Sequence, residues 1–233
     1  MKKLKYLALL AIVVPVAVVL TACGASTTTL ANFVERFETS TNWVMSTEMK
    51  MPSVMMGLSE GEDMPEYIVM TNVVERNGNT FRNYMNMGGE FAEETIKVVS
   101  GTTVTIFERE GGMNQEETPA FVWGQWDQDT QTFATNDEAL EWVFGEGEDD
   151  GFVGAIDVSD FTRSGNVYTF TGAMFDMGEV GFDEVTITIL DSNRVRMNMS
   201  IEMEIDEDLT IEMSAVATIR IGGSTAVAPT IAA

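Results

Sequence analysis

Residues 194–205, RVRMNMSIEMEI, alternate apolar and polar without a break. Val195, Met197, Met199, Ile201, Met203 and Ile205 fall on one side, and Arg194, Arg196, Asn198, Ser200, Glu202 and Glu204 on the other. A period of two is that of a β-strand with one buried face. Twelve residues at about 3.3 Å each span about 40 Å, roughly twice the common strand length. The next run repeats the pattern, with Leu209, Ile211, Met213, Ala215, Ala217, Ile219 and Ile221 on its apolar side. A sheet built from strands this long twists and curls, so the chain is committed to a large curved sheet with one oily face.

Most of the remaining chain also reads as strand. Trp43–Met51, Tyr67–Arg76, Thr80–Met87, Glu94–Val99, Thr103–Arg109, Val167–Thr171 and Val185–Leu190 carry the pattern, and Phe121–Trp126 forms a short aromatic strand. Asn77-Gly78 and Ser100-Gly101 are hairpin signals between neighbouring runs. The segments 52–65 and 145–151 read as acidic, Gly-containing loops, and 152–159 as a helical turn. Only two longer segments read as helix. Leu30, Phe33, Val34 and Phe37 make an i, i+3, i+4, i+7 stripe with Thr29 as its expected cap and an end near 40–42, and Asn136 is the expected cap of a helix through Phe144. Two short helices cover only part of a long apolar face, and this predicts a trough.

The first 22 residues belong to targeting rather than folding. Lys2, Lys3 and Lys5 precede an apolar run from Tyr6 to Leu20, which is too short for a comfortable membrane span. Leu20-Thr21-Ala22-Cys23 follows and resembles the bacterial lipobox, in which the cysteine is lipidated and becomes the mature N-terminus. The expected organisation is a signal peptide over 1–22, a tether over 23–29, one domain over 30–221 and a small, flexible apolar tail over 222–233. Cys23 is the sole cysteine, so the chain forms no internal disulfide. More than one acyl chain on Cys23 anchors a protein stably, and the expected location is the cell membrane, facing out of the cytoplasm.

Beyond residue 22 lie all 37 acidic residues and ten of the 13 basic ones, leaving the side chains at −27. Such a charge argues against nucleic acid and against lying flat on anionic lipid. The chain has no histidine, which removes imidazole bases and imidazole metal sites. No nucleophile stands at a recognisable spacing from a base, so no enzymatic activity and no cofactor are expected.

The order of elements (lipidated cysteine, tether, first helix, long antiparallel strands, helical insertion, final long hairpin) resembles that of the LolA/LolB and LppX/LprG lipoprotein superfamily. The resemblance spans residues 30–221 and implies a mainly β fold, a curved antiparallel half-barrel with an N-terminal helix and a helical insertion on its concave side. It implies binding of a lipid or acyl chain there, with Cys23 the only functional residue carried over. The protein is expected to be a monomer.

Methionine is the unusual residue, with 17 in the chain. Met49/Met51, Met85/Met87 and Met197/Met199 form three Met-x-Met pairs. Thioethers suit Cu(I), but on a strand this spacing also places both side chains on one face, where methionine makes adaptable apolar surface. The expected cavity wall is Met197, Met199, Ile201, Met203, Ile211 and Met213. Asp127-x-Asp129-x-Gln131 with Glu138 resembles the oxygen pattern of a calcium loop, although Thr132 replaces the glycine such a loop requires. The alternatives to a lipid binder are an interaction lipoprotein with a filled core, or a copper or calcium binder.

Cys23→Ala is expected to abolish acylation and move the protein from the membrane to the soluble fraction. Metabolic labelling with a fatty acid, followed by fractionation, checks this; undiminished membrane retention overturns the lipobox reading.

Overall fold

The computed structural model describes residues 28–53, 66–114, 120–144, 161–170, 180–206 and 209–230. Helix α1 (Thr28–Glu38) leads into strands β1 (Asn42–Pro52), β2 (Tyr67–Asn77), β3 (Thr80–Met87), β4 (Phe91–Ser100), β5 (Thr103–Met113), β6 (Phe121–Trp123) and β7 (Asp127–Thr132). Helix α2 (Asn136–Phe144) follows, then β8 (Phe161–Ser164), β9 (Val167–Phe170), β10 (Val180–Asp191), β11 (Arg194–Asp206) and β12 (Leu209–Ile221). The strands form one large, curved, antiparallel sheet that is not closed into a barrel. Its order is β6-β5-β4-β3-β2-β1-β12-β11-β10-β9-β8, with β7 also on β5. Two meanders therefore meet at the β1–β12 ladder, which runs from Trp43 opposite Ile221 to Lys50 opposite Ser214.

Turn chemistry sets the register. Asn77 pairs with Thr80 and Ser100 with Thr103, leaving two-residue loops, Gly78-Asn79 and Gly101-Thr102. Gly78 (φ 58°) and Gly101 (φ 60°) open these loops in the left-handed region, where glycine carries no steric penalty. With register fixed, alternation decides what is buried. On β1 the odd residues Met45, Thr47, Met49 and Met51 point inward, and on β12 Met213, Ala215, Ala217 and Ile219 do.

Both helices cover this inner, concave face. Leu30, Phe33 and Val34 of α1 enter the main core with Met45, Val74, Tyr168, Ile187 and Val195, drawn from both halves of the sheet. The Phe37 ring lies 5.1 Å from that of Trp43. Ala139 and Val143 of α2 form a smaller core with Val99 and Val104, and Phe81 packs against both cores.

Several boundaries differ from the sequence expectation. Helix α1 starts at Thr28, so Thr29 lies inside its first turn. The cap of α2 is Thr135 rather than Asn136: the Glu138 N–H donates to Thr135 Oγ1 (3.1 Å), and the Glu138 carboxylate accepts from Ala134 N–H (3.0 Å). The aromatic strand stops at Trp123. Beyond Trp126 the chain resumes strand pairing as β7, where a loop was expected. Strand β8 was not expected at all; it pairs with β9 from Phe161 opposite Phe170 to Ser164 opposite Val167.

The start of the tail, expected to lie free, is hydrogen-bonded to the fold. The Ser224 N–H donates to Asn42 Oδ1 (3.0 Å), Asn77 Nδ2 donates to the Ala226 carbonyl (3.1 Å), and Ala226 is buried. The segments 54–65, 145–160 and 171–179, with the acidic loops and the 152–159 turn, lie outside the described residues, as do residues 1–27 with Cys23. Among the described residues no helix is long and apolar enough to cross a membrane.

Met70 is fully buried at the centre of the inner face. Met70→Ala is expected to destabilise the fold by about 2–5 kcal/mol, the range for deleting a large buried aliphatic side chain. Chemical denaturation checks this, and a loss below about 1 kcal/mol would show that the core there collapses around the gap.

Candidate functional site

The methionines share one face because every strand that carries them is in phase. Val185, Met199, Ala215, Met49, Met70, Met87 and Phe91 form one transverse row across β10, β11, β12, β1, β2, β3 and β4. The adjacent row runs Tyr168, Ile187, Met197, Ala217, Thr47, Asn72, Met85, Glu93 and Glu110. All three Met-x-Met pairs therefore put both members on the concave side.

Of the expected wall, Met197, Met199 and Met213 are present on this face and are only 3%, 5% and 3% exposed. These three are covered and share the main core with Leu30, Phe33 and Val34 of α1. Ile201 is in register with Met213, and Met203 with Ile211; the side chains of Ile201, Met203 and Ile211 lie outside the described residues. Helix α1 is also tied to the sheet by Arg36, whose guanidinium donates to the Ser192 carbonyl (2.6 Å) and to Asn193 Oδ1 (2.5 Å) in the β10–β11 turn.

The inner face changes character from one side to the other. Toward β9–β12 it is aliphatic and methionine-rich. Toward β4 and β5 it carries Glu93 opposite Glu110, and Thr95 opposite Glu108. Burial pushes the Glu93 carboxyl above its ordinary range, and the charges of Glu110 and Glu108 push it further. The Lys97 ammonium lies 4.2 Å from the Trp142 ring centre; burial lowers its pKa, against the opposing pull of Glu108.

The supposed calcium loop is strand. Asp127, Asp129 and Gln131 pair with Glu108, Ile106 and Val104 of β5 and are all exposed, while Glu138 is occupied in capping α2. Their oxygens lie along an extended backbone, and a calcium loop needs them wrapped around a point. Among the described residues no group of three or more carboxylate, cysteine or histidine side chains is placed to hold a metal ion.

Two features of the sheet went unforeseen. On its outer face the buried Glu94 carboxylate accepts from Arg82 Nε (2.6 Å) and Arg109 Nε (2.8 Å), and Arg82 Nη1 is 3.7 Å from Glu75. The Arg109 guanidinium is stacked against two indoles, 4.2 Å from the Trp123 ring centre and 4.3 Å from that of Trp126. A Cβ on Gly111 would stand 2.7 Å from the Phe121 ring, so only glycine lets these aromatics fold over β5. The cluster is internally paired and fixes the sheet edge. Its members come from β2 to β6 and from Trp126 just beyond, and the strand register brings them together. The second feature is a pair of orphan hydroxyls: Thr47 Oγ1 and Tyr168 Oη are buried with no hydrogen-bond partner.

No protein-family model matches the chain, and no curated protein matches it.

Because the Glu93 pKa is raised by folding, the folded state favours the protonated carboxyl. The associated stability is present at acid pH and is lost as pH rises from the ordinary value near 4.5 through the raised one. Glu93→Gln is expected to remove that loss, so its stability relative to wild type grows between about pH 4 and pH 7. Denaturant midpoints across that range check this, and a pH-independent difference contradicts it.

Proposed function

We propose that the protein is a membrane-anchored, extracytoplasmic lipoprotein that binds a hydrophobic ligand, a lipid or acyl chain, on the concave face of its sheet. The anchor is the lipid on Cys23. The observation that carries this reading is the pooling of eight buried methionines on one face: Met45, Met49 and Met51 from β1, Met70 from β2, Met85 from β3, Met197 and Met199 from β11, and Met213 from β12. Methionine is unbranched and re-packs around varied apolar partners, which suits a wall that must be filled with and without ligand. Helix α1 covers part of that wall. The resemblance of the element order to the LolA/LolB and LppX/LprG superfamily points the same way.

A second reading is favoured by one observation, the 3–5% exposure of Met197, Met199 and Met213. A wall this well covered also fits an interaction lipoprotein whose core is permanently filled.

Native mass spectrometry of the mature protein taken from its own membrane separates the two. The binding reading expects a lipid adduct that Met199→Glu abolishes. A clean ligand-free mass, with no uptake on lipid titration, favours the filled core.

A further inference from the structure

Three methionines stand side by side on neighbouring strands. Met49 on β1 is in register with Met70 on β2, and Met70 with Met87 on β3. Met85, two residues before Met87, lies on the same face in the next row. Neighbouring strands are about 4.8 Å apart, so the three side chains leave the sheet within about 10 Å. Methionine is unbranched with three rotatable bonds, which lets Met49 and Met87 turn their sulfurs towards Met70. Filling space does not by itself call for thioethers: on β10 the same face is built from Val185, Ile187 and Ile189. Met49 and Met70 are buried, whereas Met87 is only partly buried and leads into the exposed Gly88-Gly89 turn. That turn is the way in for a small solute.

We propose that Met49, Met70 and Met87 form a three-thioether site for a soft monovalent cation, Cu(I), with Met85 at its margin. Soft thioethers select Cu(I), whereas calcium and magnesium take oxygen ligands. Met85 is in register with Glu93, and Glu93 with Glu110. These carboxylates lie beside the site rather than in it, and their charge favours a cation over an anion there. The assignment uses the sulfurs and stands apart from the binding reading above, so either can fail without the other.

The test uses the full chain carrying Cys23→Ala, so that its one thiol does not compete. Ag(I) serves as a redox-inert stand-in, beside Cu(I) itself. Native mass spectrometry should show one Ag(I) per chain, and the melting temperature should rise with Ag(I) concentration. X-ray absorption of the Cu(I) form should show sulfur neighbours alone. Met→Leu substitution removes the sulfur at nearly constant volume. Met70→Leu and Met87→Leu should each weaken Ag(I) binding at least about ten-fold, the lower end of what losing even a group that only supports a ligand costs a metal site. Met45→Leu, about 13 Å along β1 from Met49, should leave the affinity unchanged. Met87 is only partly buried, so Met87→Leu gives an answer even where Met70→Leu fails to fold. Undiminished binding in Met87→Leu overturns the site. So does an absence of uptake by the Cys23→Ala chain, an oxygen or nitrogen environment around Cu(I), or an equal loss in Met45→Leu.

Discussion

The ladder between the first and last strands is the contact on which everything else depends. Strands β2 to β7 build outward from β1, and β11 to β8 build outward from β12. Each meander is local and each has its own hairpins, but only the Trp43–Lys50 pairing with Ser214–Ile221 makes them one sheet. It also brings the two halves of the apolar face together, with Met45 beside Ile219 and Met49 beside Ala215. Closing this ladder means bringing together residues separated by nearly the whole described chain. Such non-local pairing is slow, because the loop entropy is lost before the contacts form. The α1 core draws on both halves, so it is complete only after that closure.

The small residues of β12 matter as much as the methionines around them. Ala215 separates Met199 from Met49, and Ala217 separates Met197 from Thr47. A long side chain on every strand of a concave face would overfill it. One alanine in each row, on β12, leaves room for the flexible thioethers on either side.

Much of the fold was legible because alternation is local information. The strands Thr80–Met87 and Leu209–Ile221, the inward methionines and the two helices follow directly from period and turn residues. What remained hidden depended on partners far along the chain. Asp127-x-Asp129 looks like a loop by composition, because aspartate is a poor strand former, yet pairing with β5 overrides that preference. Glu94 and Arg109 look like ordinary exposed charges; only the β4–β5 register and the aromatic residues of the following segment make them a buried, stacked cluster. The orphan state of Thr47 and Tyr168 is likewise invisible in a sequence, since it depends on what every neighbour does with its own polar groups. Within the candidate wall, the phase of Met197, Met199 and Met213 could be read in advance, but not how completely they are covered.

The interrupted rim at β5 has a further consequence. Strand β6 pairs only at Gly111–Met113 and β7 only at Thr103–Glu108, with the chain breaking its ladder between them. At the opposite rim β8 contributes four residues. Long strands with open edges are templates for polymerisation by strand addition. Here β11, β12 and β1 are interior and the β5 rim is pinned by the tryptophan–arginine stack, whereas among the described residues β9 covers β10 only at Thr186–Thr188. The rim at β5 therefore offers a second copy no long, flat ladder to extend, and strand addition at that side is disfavoured.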